Sequence, residues 1–462
     1  MSFNNRQALT RLFPLCCTLL FSACGGGQGG DNPPSTVQKN NIEHLGGGAA
    51  TVNTRGPSAF SQASRNMTNP SRITGFNEGN HFFENPWVAG SQSTEARDGL
   101  GPYFNNDSCQ GCHINDGRGH ADMTAAGDEF NSMLIRVSIS NASPTAHQAN
   151  VGDASVGGQL QHRAVTNVTA EASQKVSYSK ETVVFNDGFE VELLRPSWQL
   201  TNHIGSFDPS IVFSARIAPA MIGLGLLELI DEQDILAQED IFDTDNDGIS
   251  GKANQVYSLE HEAITLGRFG WKAGQPSLLE QSAGAFIGDM GLTSKFHLKE
   301  NCTTETDCLH AENGNGTTTD PNGAYEVTDS ILALVTFYTK HLAVPARRNA
   351  YDAQVQQGKA LFVEAGCSAC HTQSYTTGID VDQPELSGQI IFPYTDMLLH
   401  DMGPELADFD INGDTVSANT AVEFLATATE WRTPPLWGLG LSHSVDAKAT
   451  FLHDGRARTI ME

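Results

Sequence analysis

Two five-residue stretches constrain this chain more than anything else in it: Cys109-Gln110-Gly111-Cys112-His113 and Cys367-Ser368-Ala369-Cys370-His371. The C-x-x-C-H spacing is that of c-type haem attachment. Two thiols three positions apart reach the two vinyl groups of one porphyrin and form thioethers. The adjacent histidine then falls beneath the iron as an imidazole ligand. A thioredoxin-like redox pair needs no following histidine, and a zinc site would keep its ligand pairs close in sequence.

Covalent haem attachment happens after export, and the front of the chain agrees with that. Residues 1–24 carry Arg6 and Arg11, then a short apolar stretch ending Leu20-Phe21-Ser22-Ala23-Cys24. The stretch is too short to span a bilayer and reads as a signal. Small residues before Cys24 resemble a bacterial lipoprotein cleavage box, with Cys24 as the lipidated residue. Simple secretion by a plain cleaved signal is the alternative. Residues 25–57 are rich in Gly, Asn, Ser and Thr with no apolar period, which predicts a flexible tether. Both readings put the mature protein in the periplasm or cell envelope, with the membrane touched only through a lipid anchor.

Nine cysteines occur in all. Once Cys16 and Cys17 go with the signal, Cys24 is set aside as the lipidated residue and four serve the haem motifs, Cys302 and Cys308 remain. They lie in a polar loop, and an oxidising compartment predicts a local disulfide. The formal charge of −27 argues against nucleic-acid binding. It leaves an acidic surface to a partner such as a small electron donor. No run of apolar residues is long enough for a spanning helix.

One acidic loop stands apart. Asp243, Asp245 and Asp247 occupy positions 1, 3 and 5 of a turn with Gly248 at position 6, a pattern that converges on Ca²⁺. The bidentate Glu of an EF-hand is missing, because Asn254 stands at position 12. Elsewhere, residues 133–140, 182–185, 191–194 and 211–217 alternate as strands do. Residues 219–243 and 329–342 read as helical. Leu361 and Phe362 form an apolar stripe ending at Gly366, like the helix that opens a cytochrome c and runs into its haem loop.

Several blocks taken in order resemble one family, the di-haem oxidoreductases related to bacterial di-haem cytochrome c peroxidases. They are residues 98–113, 247–251, 267–273, 289–293, 344–348, 399–403, 432–438 and 452–458. The resemblance implies two haem domains face to face. The haem at Cys109, Cys112 and His113 is the peroxide-reactive one, and the haem at Cys367, Cys370 and His371 relays electrons. It also implies that Trp271 lies on the inter-haem path, and that Gln281 and Asp289 line the open face of the reactive iron. Independently, heterolysis of a peroxide O–O bond needs a proton moved from one oxygen to the other, which a placed carboxyl does. Asp289 stands where relatives carry Glu, one methylene shorter. His400 and His453 read as structural. The resemblance puts the sixth ligand of the second haem beyond Glu462.

The expected fold is therefore mainly α, with two cytochrome c-like haem domains and a β-containing insertion in the first. The first domain spans residues 58–345, with the acidic loop, and the second 346–462. The expected protein is an exported, peroxidase-like di-haem oxidoreductase. It takes electrons from a small donor protein or a quinol-linked cytochrome and passes them to a peroxide-like oxidant. The rivals are an electron-transfer cytochrome with no substrate chemistry and a haem oxidase acting on a protein or polymer.

Overall fold

Two helices pack together behind the first Cys-x-x-Cys-His stretch in the computed structural model, which describes residues 42–90, 96–121, 132–140, 151–201, 203–303, 306–312 and 325–462. The helix Pro70–Glu84 starts where the Asn69 side chain accepts from the Ser71 N–H. Pro70 opens it, where a missing N–H leaves no bond unmade. The helix Asp329–His341 is capped by Thr328 and buries Ile331, Leu332, Val335 and Tyr338 along one stripe. Gly79 lets the two approach, since a Cβ there would lie 2.2 Å from the Leu334 carbonyl oxygen. A third helix, Leu278–Met290, joins them around Phe76, Phe83, Trp87, Phe286 and Tyr338. Each such aromatic contributes roughly 1.5–3 kcal/mol by leaving water.

A three-stranded antiparallel sheet forms the next layer. Met133–Ile139 pairs along its whole length with Ile211–Ile217, and Gln159–Leu160 pairs on its other edge. Alternation sends Met133, Ile135 and Val137 into an apolar cluster with Phe213, Trp271 and Trp431. Leu134 and Arg136 belong to the opposite face. Beside this sheet, Ser173–Val184 and Glu190–Thr201 make a two-stranded ribbon turning at Gly188, with exposure alternating along it.

The expectation of a mainly α fold is wrong. The described residues are 24% helix and 23% strand, the strand lying in many small sheets. Glycine explains much of the difference, since its backbone freedom suits turns and lowers helix propensity. Residues 219–243, expected as one helical stretch, yield only Leu224–Glu228 and Glu232–Leu236. The first of these starts at Gly223, in the left-handed region at φ 71°. The ribbon adds long strands whose half-exposed alternation reaches well beyond the two short segments that the sequence suggests.

Other expectations meet mixed outcomes. Cys302 and Cys308 are disulfide-bonded with their Cα atoms 5.6 Å apart. The signal and Cys24 lie outside the described residues, as does the tether up to residue 41. Residues 42–57 are not tether-like: Glu43 is buried, and the Gly46 carbonyl accepts from the Phe392 N–H at 2.8 Å. Packing also runs across residue 345. Leu226, Leu278 and Val344 share a cluster with Tyr375, Ile391 and Leu398. Among the described residues, no helix is long and apolar enough to cross a membrane.

Candidate haem sites and reaction cavity

Ser108 caps a single helical turn, Cys109–Cys112, by accepting from the Gly111 N–H. The turn presents both thiols on one side and delivers His113 at its end. The His113 Nδ1–H donates to the Pro219 carbonyl at 2.8 Å. That bond fixes the tautomer and leaves Nε2 as the ligand atom. Burial pushes the His113 imidazole down to about 4, against the Pro219 and Gly117 carbonyls, so it is neutral and fit to bind metal. Burial and the neighbouring Asp289 push the Cys112 thiol up to about 12.

Asp289 reaches this site from the end of the helix Leu278–Met290. Its own backbone carbonyl accepts from the Asn105 and Asn106 N–H groups at 2.7 and 3.2 Å. Helix end and haem loop are thereby tied together. The Asp289 carboxyl accepts from Gln159 Nε2 at 2.8 Å. Burial raises its pKa, opposed by the Arg136 charge and the Gln159 bond, which shifts its balance toward the protonated form. Gln281, Ala285 and Asp289 recur at four-residue steps and line one cavity with Cys109, Cys112 and His113. Trp271 stands in the same wall. Its Nε1–H donates to the Ile217 carbonyl at 2.8 Å, and its ring meets His453 edge-on. His453 in turn stacks on Trp431 at 3.6 Å, while the buried Lys272 ammonium lies 3.6 Å from the centre of the Trp431 ring.

The second site repeats the first in outline. Gly366, at φ 80°, stops the helix Ala353–Glu364 and turns the chain into Cys367–Ala369. The His371 Nδ1–H donates to the Tyr394 carbonyl at 2.8 Å, with the Phe362 ring 5.9 Å away. A second cavity opens here, lined by Phe362, Tyr394, Lys359 and Arg347. Glu43 closes it, accepting from Lys359 Nζ at 2.5 Å and from Arg347 and Tyr394. Burial alone would raise the Glu43 pKa. Those partners outweigh it and hold the carboxyl below the usual carboxylate range.

Both sites fit a porphyrin. Arg118, Arg136, Arg216 and Arg432 reach the first cavity against only Glu423 and Asp289. With Asp289 tending to neutrality, that wall is net positive in a chain of charge −27, as a group carrying two propionates requires. Trp437 lines both cavities, and its buried Nε1–H has no acceptor among the described residues. Phe362 belongs to a helix with no buried residue, an apolar face that a porphyrin would cover.

Sequence reasoning missed Arg136, Gln159, Glu43 and Trp437. Trp437 sits within a family-like block and was the one most open to notice; the others carry no local signal. In the acidic loop the structure gathers Asp240, Asp243 and Asp245, not the expected Asp247. The Asp247 carboxylate instead accepts from the Ile249 N–H at 2.8 Å, closing its own turn. His400 bridges the Ser250 carbonyl at 2.8 Å and Asp396 at 2.7 Å, with the Cys370 sulfur 3.6 Å from its Nδ1. Burial would lower its pKa, but Asp396 lifts it to about 10.

The family model described as di-haem oxidoreductase, putative peroxidase, matches residues 41–462. The chain belongs to that family, and two haems are its implied cofactors. Searches of curated proteins and of solved structures found no match.

The Glu43 cluster sets a pH test. A carboxyl with a depressed folded pKa adds stability above its unfolded value and loses it as pH falls through the folded one. Glu43→Gln is expected to destabilise the protein by about 1–3 kcal/mol at neutral pH. In urea unfolding, the gap to the wild type should shrink as pH drops below 4.5. A gap that is constant with pH would show that Glu43 acts without its charge.

Proposed function

We propose that this di-haem oxidoreductase is an exported c-type cytochrome that reduces a peroxide. One haem is bound through Cys109, Cys112 and His113, the other through Cys367, Cys370 and His371. The observation that carries the reading is one cavity shared by the first motif, Gln281 and an Asp289 biased toward its protonated form. A cytochrome that only passed electrons would need no such acid beside the ligand histidine.

When bound, each haem supplies an iron that changes its charge by one electron. The chain's residues supply the rest. Peroxide plus two electrons and two protons gives two waters. Asp289 carries a proton to the departing oxygen, and Gln159 holds its carboxyl in place. Gln281 orients the oxidant from about two helical turns further back. Electrons pass from the second site to the first by way of Trp437, the indole common to both cavity walls. Trp271, which stands in the first wall alone, is the inner aromatic of that route. The donor is a small electron-transfer protein or a quinol-linked cytochrome. The protein sits in the periplasm, tethered by a lipid at Cys24. A Ca²⁺ held by Asp240, Asp243 and Asp245 stiffens the acidic loop.

Three measurements test this reading. Peroxide turnover by the di-haem protein, with a reduced small cytochrome as donor, should fall about 10²-fold or more in Asp289→Asn. Turnover at the wild-type rate removes the acid from the reaction. The mass of the denatured mature protein should include two porphyrins and a lipid on Cys24; a chain without them ends the c-type reading or the anchor respectively. A chelator should lower both the bound calcium and the melting temperature, and no change in either dismisses the ion.

A further inference from the structure

Arg136 is the one guanidinium of the first cavity with no hydrogen bond to any described residue. The other three are engaged. Arg216 pairs with Glu423 at 2.6 Å, Arg432 donates to the Gly270 carbonyl, and Arg118 to the Thr450 carbonyl. Arg136 lies on Met133–Ile139, at a position where alternation turns it away from the apolar cluster and into the cavity wall. Five N–H donors in a fixed fork thus face the cavity without an acceptor among the described residues. A buried cation in that state is costly unless something pairs with it.

The neighbours of Arg136 say where it acts. Its cross-strand partner is Gln159. Gln159 Nε2 donates to the Asp289 carboxyl, to Asn105 Oδ1 at 2.6 Å and to the Gly288 carbonyl at 2.8 Å. Strand pairing therefore puts Arg136 next to the residue that fixes Asp289. Asp289 is the charge acting most strongly on both Cys109 and Cys112, and Arg136 is the cation acting most strongly on Asp289. A fork beside Gln159 and Asp289 is placed for a small anion under the acid.

We propose that Arg136 is a catalytic residue of the first cavity, binding the oxidant and stabilising negative charge on its departing oxygen while Asp289 supplies the proton. This rests on the peroxide reading above. In the step, the O–O bond breaks and the departing oxygen keeps the bonding pair. That oxygen takes the proton of Asp289, and the overall reduction consumes two electrons from the reduced donor cytochrome and two protons. Charge-assisted bonds of this kind are about twice as strong as neutral ones.

Fluoride, titrated into the oxidised di-haem protein and followed optically, tests the proposal apart from turnover. Wild-type protein should bind fluoride at the first site. Arg136→Leu should weaken binding about tenfold or more, with both porphyrins retained by mass, and Arg136→Lys should recover part of the loss. Equal fluoride affinity in wild type and Arg136→Leu overturns the proposal and leaves the peroxide reading intact. So does a variant that keeps its fluoride affinity and both porphyrins but shifts the first haem's reduction potential, which marks a propionate contact. No fluoride binding by the wild type defeats the peroxide reading itself. Should Arg136→Leu not fold, Arg136→Lys decides: it keeps the charge and loses the fork, and undiminished affinity and peroxide turnover together overturn the proposal.

Discussion

A backbone carbonyl grips each motif histidine by its Nδ1–H, Pro219 for His113 and Tyr394 for His371, both at 2.8 Å. Everything chemical in the molecule depends on those two bonds. They set which nitrogen is free, and the direction it faces. Neither carbonyl is close in sequence to its histidine. Pro219 follows the strand Ile211–Ile217, whose partner strand buries Ile135 and Val137. Tyr394 sits at φ 55° in a segment held by the Glu43 cluster and by the Phe392 bond to Gly46. A ligand geometry that looks local is thus imposed by the sheet in one case and by the front of the folded chain in the other.

The first cavity shows how a charged interior is sustained. Arg216 and Glu423 neutralise one another, Lys272 meets Asp408 at 3.2 Å and three backbone carbonyls, and Asp289 drifts toward its neutral form. Burial penalises every one of these charges, and each is offset by a partner or by a proton. What is left over is positive, in a protein that is otherwise strongly acidic.

The two Cys-x-x-Cys-His motifs were legible because the pattern lies wholly within five positions. Gln281 and Asp289 came only from the family resemblance, and the helix that carries them eight residues apart on one face is seen in the structure. Arg136 and Gln159 were not legible. Their meeting depends on the register between Met133–Ile139 and Gln159–Leu160, which no short window contains. Glu43 lies in a stretch whose composition reads as linker, and its three partners lie some 300 or more positions further along. The helix and strand balance was misjudged because glycine breaks helical patterns without altering their apolar period, as at Gly223.

The ribbon of Ser173–Val184 and Glu190–Thr201 has two open edges, each a row of backbone groups able to template another chain. Its sequence works against such stacking. Lys180 pairs with Glu192 at 3.0 Å, and Arg195 pairs with both Glu181 and Glu405. Pro196 removes an N–H from one strand. An approaching strand would have to desolvate these ions and meet a gap in its ladder. A two-stranded ribbon can then lie against the core through Val176, Tyr178, Trp198 and Leu200 and keep its outer edges from seeding fibres.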